Sequence, residues 1–396
     1  MSTYLRRIST PANLRAAWKK LKKKKHSRGF DDQSIDEFKR DLDRNLTQIG
    51  DDLRSGRFQF TPHLGVLHNK PDGGKRPIKI PAVRDRVVLK AIQLQIAHKF
   101  DKYNLPCSYG YIAGASVSDA VKRVRELARD GNEHVLEGDI SKFFDTVDRD
   151  ILIEKFVRKI RVPSLESFVT AALRAEVGNL DDFRPIERDM FPLADSGIPQ
   201  GGVLSPMLAN FYLYPFDKAM TDAGFHLVRY ADDFVVMCKS YEQASAAYAL
   251  AHSVLHDQLH LTLHPLGENS KTRITPYSKG FNFLGLQFQG GRVSPSTKAA
   301  KRFREKVSSI TDARQGLSLL KTLTALKNTI DGWAHAYYGY DSIEVFRDLD
   351  RYVREEFSRY LRFHGLLANG NLISSVQRKF FGVPSLEAIR QRTLLG

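Results

Sequence analysis

Three carboxylates stand where strand-forming runs end. Asp139 lies in LEGDISKFFD, and Asp232 and Asp233 lie in RYADDFVVM. A carboxylate set in an apolar strand is costly unless it is paired or binds a metal. Two adjacent Asp residues at a hairpin tip repel each other, so a cation belongs between them. Magnesium takes oxygen ligands from one or two carboxylates plus substrate phosphates. Three carboxylates on neighbouring strands can hold two such ions about 3.5–4 Å apart, an arrangement suited to in-line phosphoryl displacement. One ion lowers the pKa of an attacking hydroxyl; the other stabilises the leaving group. An Asp-Asp pair on its own is more often a solvated turn. Flanking aromatic and β-branched residues, an upstream Asp139 and a basic chain favour chemistry instead.

The chain has 61 Lys and Arg against 45 Asp and Glu, a net charge of +16. That balance suits a polyanionic partner, nucleic acid above all. With 396 residues, 42% hydrophobic and 27% charged, a globular protein of two or three folding units is expected. No apolar run is long enough for a membrane helix, and Met1–Pro11 lacks the apolar core of a secretory signal. Cys107 and Cys238 lie far apart in the sequence and build neither a disulfide framework nor a cysteine zinc site. No membrane partner and a cytoplasmic location are the expectation.

The elements that must position the three acids follow from periodicity. Asn13–Lys25 is amphipathic and runs into a block of Lys19, Lys20, Lys22, Lys23, Lys24 and Lys25, read as a phosphate contact. Apolar residues at Ile35, Phe38, Leu42, Leu46, Ile49 and Leu53 predict one core-facing helix over Ser34–Leu53. Strands are predicted over Leu64–Asn69 and Arg76–Ile80, about the PDGGK turn at Pro71–Lys75. Helices follow at Val87–Phe100 and Ser116–Arg129, a buried strand at Leu136–Ile140, and helix again at Arg149–Leu173. The Gly-rich turn Gly197–Gly202 leads into a long helix, Val203–Ala223. Leu227–Tyr230 and Phe234–Cys238 form a tight hairpin about Ala231-Asp232-Asp233, and Tyr241–Leu259 is helical. Phe281–Phe288 reads as one strand with a glycine at its middle, and the pattern after Pro295 is helical throughout.

These residues resemble one known family. YADD (Tyr230–Asp233) is similar to the central catalytic motif of reverse transcriptases, and DISKFFD (Asp139–Asp145) to the strand carrying their first catalytic Asp. GIPQGGVLSPMLANFYL (Gly197–Leu213) resembles the template- and nucleotide-positioning motif of bacterial group II intron-type reverse transcriptases. KTRI (Lys271–Ile274) and FNFLG (Phe281–Gly285) resemble the motifs that close the palm. GGKRPIKIPAVRDRVV (Gly73–Val88) resembles the fingers motif, and SYGYIAGASVSDAV (Ser108–Val121) the motif after it. GWAHAYYG (Gly332–Gly339) resembles the hallmark of the thumb, or maturase domain. The likeness runs from about Leu14 to His364.

The resemblance implies an α+β right-hand polymerase with an antiparallel palm sheet and a helical thumb. An N-terminal extension and fingers would occupy 1–130, and the palm 131–290 with a fingers insertion at about 150–195. A helical thumb or maturase-like domain would occupy 291–364, with a short tail over 365–396. The implied activity is RNA-directed DNA synthesis with two Mg²⁺ ions, Mn²⁺ being an alternative. Its partners would be an RNA template (a structured intron or a non-coding RNA), a DNA or RNA primer, and deoxynucleoside triphosphates.

Asp139, Asp232 and Asp233 would be the metal ligands, joined by the backbone carbonyl of Ile140. Phe144 would be the steric gate that excludes a ribose 2′-hydroxyl, while Phe143 would be buried. Gln200, between Pro199 and two glycines, would contact the template–nucleotide pair. Lys75 and Arg76 would hold the incoming triphosphate. Arg84 and Arg86 read either as phosphate contacts or as salt-bridged structure. Lys271 resembles a lysine that protonates departing pyrophosphate, and a plain phosphate contact explains it equally well. Tyr230 and Ala231 would lie under the primer terminus, and Trp333 reads as core.

Some positions depart from the pattern. HNK (His68–Lys70) stands where an Ile-Pro-Lys-like triplet is usual, and Leu89 where Gln is common. Only Gly365–Gly396 follow the thumb, and no nuclease-type Cys/His pattern is present. Two other readings share the motifs: an RNA-binding maturase that assists splicing, and an antiphage defence enzyme that copies a partner non-coding RNA.

Overall fold

Runs of β-branched and aromatic residues pair into small antiparallel sheets, and helices bury their faces. The computed structural model describes residues 2–21, 27–69, 74–191 and 196–395. Lys22–Lys25 of the lysine block, and Lys70 with Pro71–Gly73 of the predicted turn, lie outside the described residues. Strands β1 (Leu64–Asn69) and β2 (Lys75–Ile80) pair antiparallel, with Asn69 opposite Lys75. The central sheet takes β3 (His134–Asp139), β4 (His226–Tyr230), β5 (Asp233–Cys238) and β6 (Arg273–Pro276), in the order β4-β5-β3-β6. Both β3 and β4 run antiparallel to β5.

The register of that sheet decides where the acids go. Asp139 ends β3 directly opposite Asp233, which begins β5, and Tyr230 flanks Asp233 from the other side. Gly138 just before Asp139 is required by packing: a Cβ there would lie 2.1 Å from the Phe234 ring. Helix Tyr241–Ser253 packs on β3 and β5, and helix Val117–Arg129 on β4. Both faces are thereby covered, which is why β5 is buried from Phe234 to Cys238.

The long helix spans Ser205–Asp222 and holds a proline, Pro215, inside it. Pro215 has no N–H, so the carbonyl one turn earlier loses its helical partner. Lys155 makes up the loss, its Nζ donating to the Tyr212 carbonyl at 3.0 Å and the Phe211 carbonyl at 3.4 Å. Burial pushes the Lys155 ammonium down to about 8.

Three predicted elements come out divided. The single helix expected over Ser34–Leu53 is two, Ile35–Arg40 and Leu42–Ser55, broken at Asp41. Ile35, Phe38, Leu46, Ile49 and Leu53 are still buried as predicted, with Phe38 stacked on Trp18 at 5.1 Å. The helix expected over Arg149–Leu173 is also two, because Arg161 turns to a positive φ of 55° and Pro163 starts a new turn. The strand expected over Phe281–Phe288 is a hairpin of β7 (Phe281–Phe283) and β8 (Leu286–Gln289). Leu284 and Gly285 both take positive φ, 53° and 77°, which folds the chain back on itself.

The chain divides into two units after Ile274. Residues 277–290, grouped above with the palm, belong to the second unit. That unit holds β7, β8, β9 (Arg292–Pro295) and helices Thr297–Thr311, Leu319–Tyr337 and Ile343–Phe363. Trp333 sits among Phe303, Tyr337 and Phe346, partly buried and packed against the core it was read as joining. The segment expected to be a tail forms helices Ser375–Phe380 and Leu386–Leu395. It joins the unit's core through Ile373, Val383 and Leu386, and Arg378 pairs with Asp350 at 2.9 Å.

His63 offers a test of the first unit. It is 1% exposed, both ring nitrogens lack a partner, and burial, with Lys79 and Arg86 nearby, holds its pKa down to about 4. Between pH 6.5 and 4 the unfolded chain binds a proton there that the folded chain excludes, so stability falls as pH falls through that window. His63→Leu should flatten the slope by up to about 1.4 kcal/mol per pH unit in urea titrations across that window. An unchanged slope would contradict this account.

Candidate active site

The turn that carries Asp232 and Asp233 is held from below by a buried arginine. Arg229, at the penultimate position of β4, is fully buried and uses all five of its N–H groups. Its Nε donates to Asp217 Oδ1 at 2.6 Å. Its Nη1 donates to Asn210 Oδ1 at 3.1 Å and to the Ala231 carbonyl at 2.8 Å. Its Nη2 donates to Ser108 Oγ at 2.8 Å and to Asp217 Oδ2 at 2.5 Å. Burial works against the Arg229 charge, and the Asp217 carboxylate outweighs it, so the Arg229 pKa rises. Ala231 itself sits at φ 60°, a strained value for a residue with a Cβ. Gly110 closes over it: a Cβ at Gly110 would lie 2.4 Å from the Ala231 amide nitrogen. Asn210 Nδ2 donates to the Gly110 carbonyl at 2.8 Å, and the Tyr109 amide donates to the Arg229 carbonyl at 2.8 Å.

Above this turn opens a cleft of about 680 Å³. Arg76, Asp139, Ile140, Phe144, Gln200, Asp232 and Lys271 all line it, so seven of the sequence-predicted site residues meet there. Lys271 Nζ donates to Asp139 Oδ2 at 3.0 Å, and His264 Nε2 lies 3.2 Å from the same oxygen. Burial first, and then the like charge of Asp139, raises the Asp232 carboxyl above its ordinary value. Phe143 is buried as expected, while Phe144 turns into the cleft edge-on to Tyr111, with ring centres 6.5 Å apart. Gln200 Nε2 donates to Asp145 Oδ1 at 3.0 Å. The turn around Gln200 is bonded on both sides. The Lys79 amide of β2 donates to its carbonyl at 3.1 Å, and the Ile198 amide donates to the Phe144 carbonyl at 2.7 Å.

Four predicted residues stand apart from the cleft lining. Lys75 pairs with Glu187, which joins the fingers hairpin to the 185–188 helix rather than to a triphosphate space. Ala231 is buried against Gly110, so its small size answers a protein backbone there. Tyr230 is half-buried beside the same glycine, and Asp233 is exposed at the start of β5. The open question about Arg84 and Arg86 resolves to structure. Arg84 covers the Phe58 ring at 4.7 Å, and Arg86 donates to the carbonyls of Pro81 and Arg28.

Sequence reasoning passed over Arg229, Asp217, Asn210, Ser108, Tyr111, Lys142, Asp145 and His264. A signal existed for two of them: Asn210 and Asp217 are polar residues seven apart at the two ends of an apolar run in the long helix, hence on one face. For His264, in a loop, there was none. Tyr111, Lys142 and Ala231 all have positive φ, at 63°, 46° and 60°, so backbone strain gathers around the cleft.

Among the described residues, no three His, Cys, Asp or Glu side chains converge closely enough to hold a metal ion unaided. The donor set still suits magnesium, which takes few carboxylates and draws its other oxygens from water and substrate phosphate. The Lys271 ammonium and the His264 ring both crowd one oxygen of Asp139, and a cation there is what an acid cluster short of positive charge attracts. No helix among the described residues is long and apolar enough to cross a membrane.

Residues 68–288 match the reverse transcriptase (RNA-dependent DNA polymerase) family, and residues 300–364 match the group II intron, maturase-specific domain. Protein YkfC of Escherichia coli is 30% identical over 298 residues, covering 66% of this chain and 75% of its own. The group II intron-encoded protein LtrA of Lactococcus lactis is 28% identical over 194 residues, 48% of this chain and 30% of its own. A putative COX1/OXI3 intron 1 protein of Saccharomyces cerevisiae is 30% identical over 45% of this chain and 20% of its own. A solved Cas6-RT-Cas1–Cas2 complex is matched at 27% identity and a TM-score of 0.39, over 65% of this chain and 42% of that one.

Asp217→Ala tests the support beneath the turn. It leaves a buried guanidinium uncompensated and should cost about 3–5 kcal/mol in urea unfolding. A loss below about 1 kcal/mol, the worth of an exposed pair, would contradict the role given to Arg229.

Proposed function

The chain belongs to the reverse transcriptase family, and from that premise we propose that it extends a DNA or RNA primer on an RNA template, using deoxynucleoside triphosphates and two magnesium ions. Its fold is that of the right-hand polymerases, and a maturase-specific domain follows the polymerase region. The observation that carries the proposal is the meeting of Asp139 and Asp232 with Arg76, Gln200, Phe144 and Lys271 around one cleft, with Asp233 paired beside Asp139.

Each residue then has a task. Asp139, Asp232 and Asp233, with the Ile140 carbonyl, would hold the metal, Mn²⁺ being an alternative to Mg²⁺. Bound there, the ions would supply charge neutralisation for the attacking hydroxyl and the leaving pyrophosphate. Arg76 takes the triphosphate. Lys75 reaches it only by leaving Glu187, so Arg76 carries the larger share. Gln200, braced by Asp145, faces the nascent base pair. Phe144 occupies the space a ribose 2′-hydroxyl needs. Lys271, held beside Asp139, meets the departing pyrophosphate as proton donor or as counter-charge. The new bond joins the primer 3′-oxygen to the α-phosphorus, and the α–β bridging bond breaks. Asp232→Asn and Asp233→Asn should each lower single-nucleotide incorporation by about a thousandfold or more while leaving thermal melting near wild type. Near-normal incorporation would overturn the assignment.

The match of residues 300–364 to a maturase-specific domain favours a second activity, binding and folding of a structured intron RNA. RNA binding and intron splicing should then persist in the double Asp232→Asn/Asp233→Asn variant. Loss of RNA binding in that variant would argue against a separable maturase role.

A further inference from the structure

We infer that Tyr111 sets sugar specificity together with Phe144, as the second wall of the gate. The inference deepens the reading of Phe144 as the residue that excludes a ribose 2′-hydroxyl, and it rests on that reading.

Four observations converge. Tyr111 is a large aromatic residue left 52% exposed, and it lines the same cleft as Phe144 and Asp232. Its ring stands at 89° to the Phe144 ring, the edge-to-face arrangement that aromatic pairs prefer. Phe143 packs against the Phe144 ring at 5.3 Å, and the Phe144 backbone is fixed where its carbonyl accepts from Ile198 at 2.7 Å. Tyr111 is the ring partner of Phe144 that is itself exposed in the cleft, so its removal would let the Phe144 ring swing out of the sugar space. Last, Tyr111 adopts φ 63°, which a residue of its size rarely does. The preceding residues keep it there. Tyr109 is bonded to Arg229, Gly110 is bonded to Asn210, and the Gly110 backbone packs on Ala231. The anchor that fixes the catalytic turn thus also aims this ring.

The Tyr111 hydroxyl has no part in this account; the ring does. The variants follow from the backbone. Tyr111→Asn and Tyr111→Gly remove the ring with residues that tolerate positive φ, so neither strains the loop. Tyr111→Phe keeps the ring. The measurement is the ratio of kcat/KM for a ribonucleoside triphosphate to that for the matching deoxyribonucleoside triphosphate, on the full chain with an RNA template and a DNA primer. A merely structural fault lowers both terms and cancels in the ratio. Tyr111→Asn and Tyr111→Gly should raise the ratio by about tenfold or more. Tyr111→Phe should leave it within about twofold of wild type. Phe144→Val, measured alongside, separates the two levels of the argument. If Phe144→Val raises the ratio and both ring-removing variants leave it unchanged, the inference about Tyr111 is wrong and the gate stands. If Phe144→Val leaves the ratio unchanged, the gate reading fails and this inference fails with it.

Discussion

The turn that carries Asp232 and Asp233 depends on one buried guanidinium. A hairpin tip with two adjacent carboxylates is unfavourable on charge, and Ala231 within it is held at a positive φ. Left to local preference, such a turn would relax. Arg229 prevents that by bonding the Ala231 carbonyl while its own charge is met by both oxygens of Asp217. With every N–H satisfied, the arginine can stay out of water, which an unpaired charge cannot. Its remaining bonds, to Ser108 and Asn210, bring the loop before Tyr111 and the long helix to the same point. Three segments thus meet on one side chain, and the loop that carries Asp232 and Asp233 inherits their rigidity.

The wall opposite the acids is built on the same logic with weaker bonds. The Gly197–Gln200 turn is fastened to the segment after Phe144 by Ile198 and by Arg149, whose Nε donates to the Gly197 carbonyl at 2.6 Å. It is fastened to the fingers hairpin by the Lys79 amide. Gln200 and Phe144 therefore move as one piece, which suits groups that would grip the base and the sugar of one nucleotide. The pairing of Lys75 with Glu187 ties the start of the same strand, β2, to a different helix. That is a structural use for a residue whose position in the motif suggests substrate.

Much of the fold was legible because hydrophobic period and turn residues act over a few neighbours. The strands at Leu64–Asn69 and at the Tyr230–Asp233 hairpin came out nearly where alternation put them. The misses were boundaries set by backbone conformation. Leu284 and Gly285 split a strand because both take positive φ, and a leucine carries no local sign of that. Asp41 and Arg161 break helices whose apolar period runs on undisturbed. The segment after His364 looked like a tail because it is short. Its Ile373, Val383, Leu386 and Ile389 are buried in the core of the second unit.

The sequence by itself determined the chemistry available: three carboxylates at strand ends, a basic chain, a Gln in a Gly-rich turn, and a pair of phenylalanines after the first Asp. Those follow from residue type and spacing, which survive any arrangement of the rest. Only the tertiary structure decided which of these groups share a cleft, because that depends on register and on contacts across more than a hundred residues. Asp139 stands opposite Asp233 through pairing of strands roughly ninety residues apart. His264 reaches Asp139, and Tyr111 reaches Phe144, through packing that leaves no periodic trace. The same reason hid Arg229: one buried arginine reads in a sequence as one basic residue among 61, until its five hydrogen bonds are seen around it.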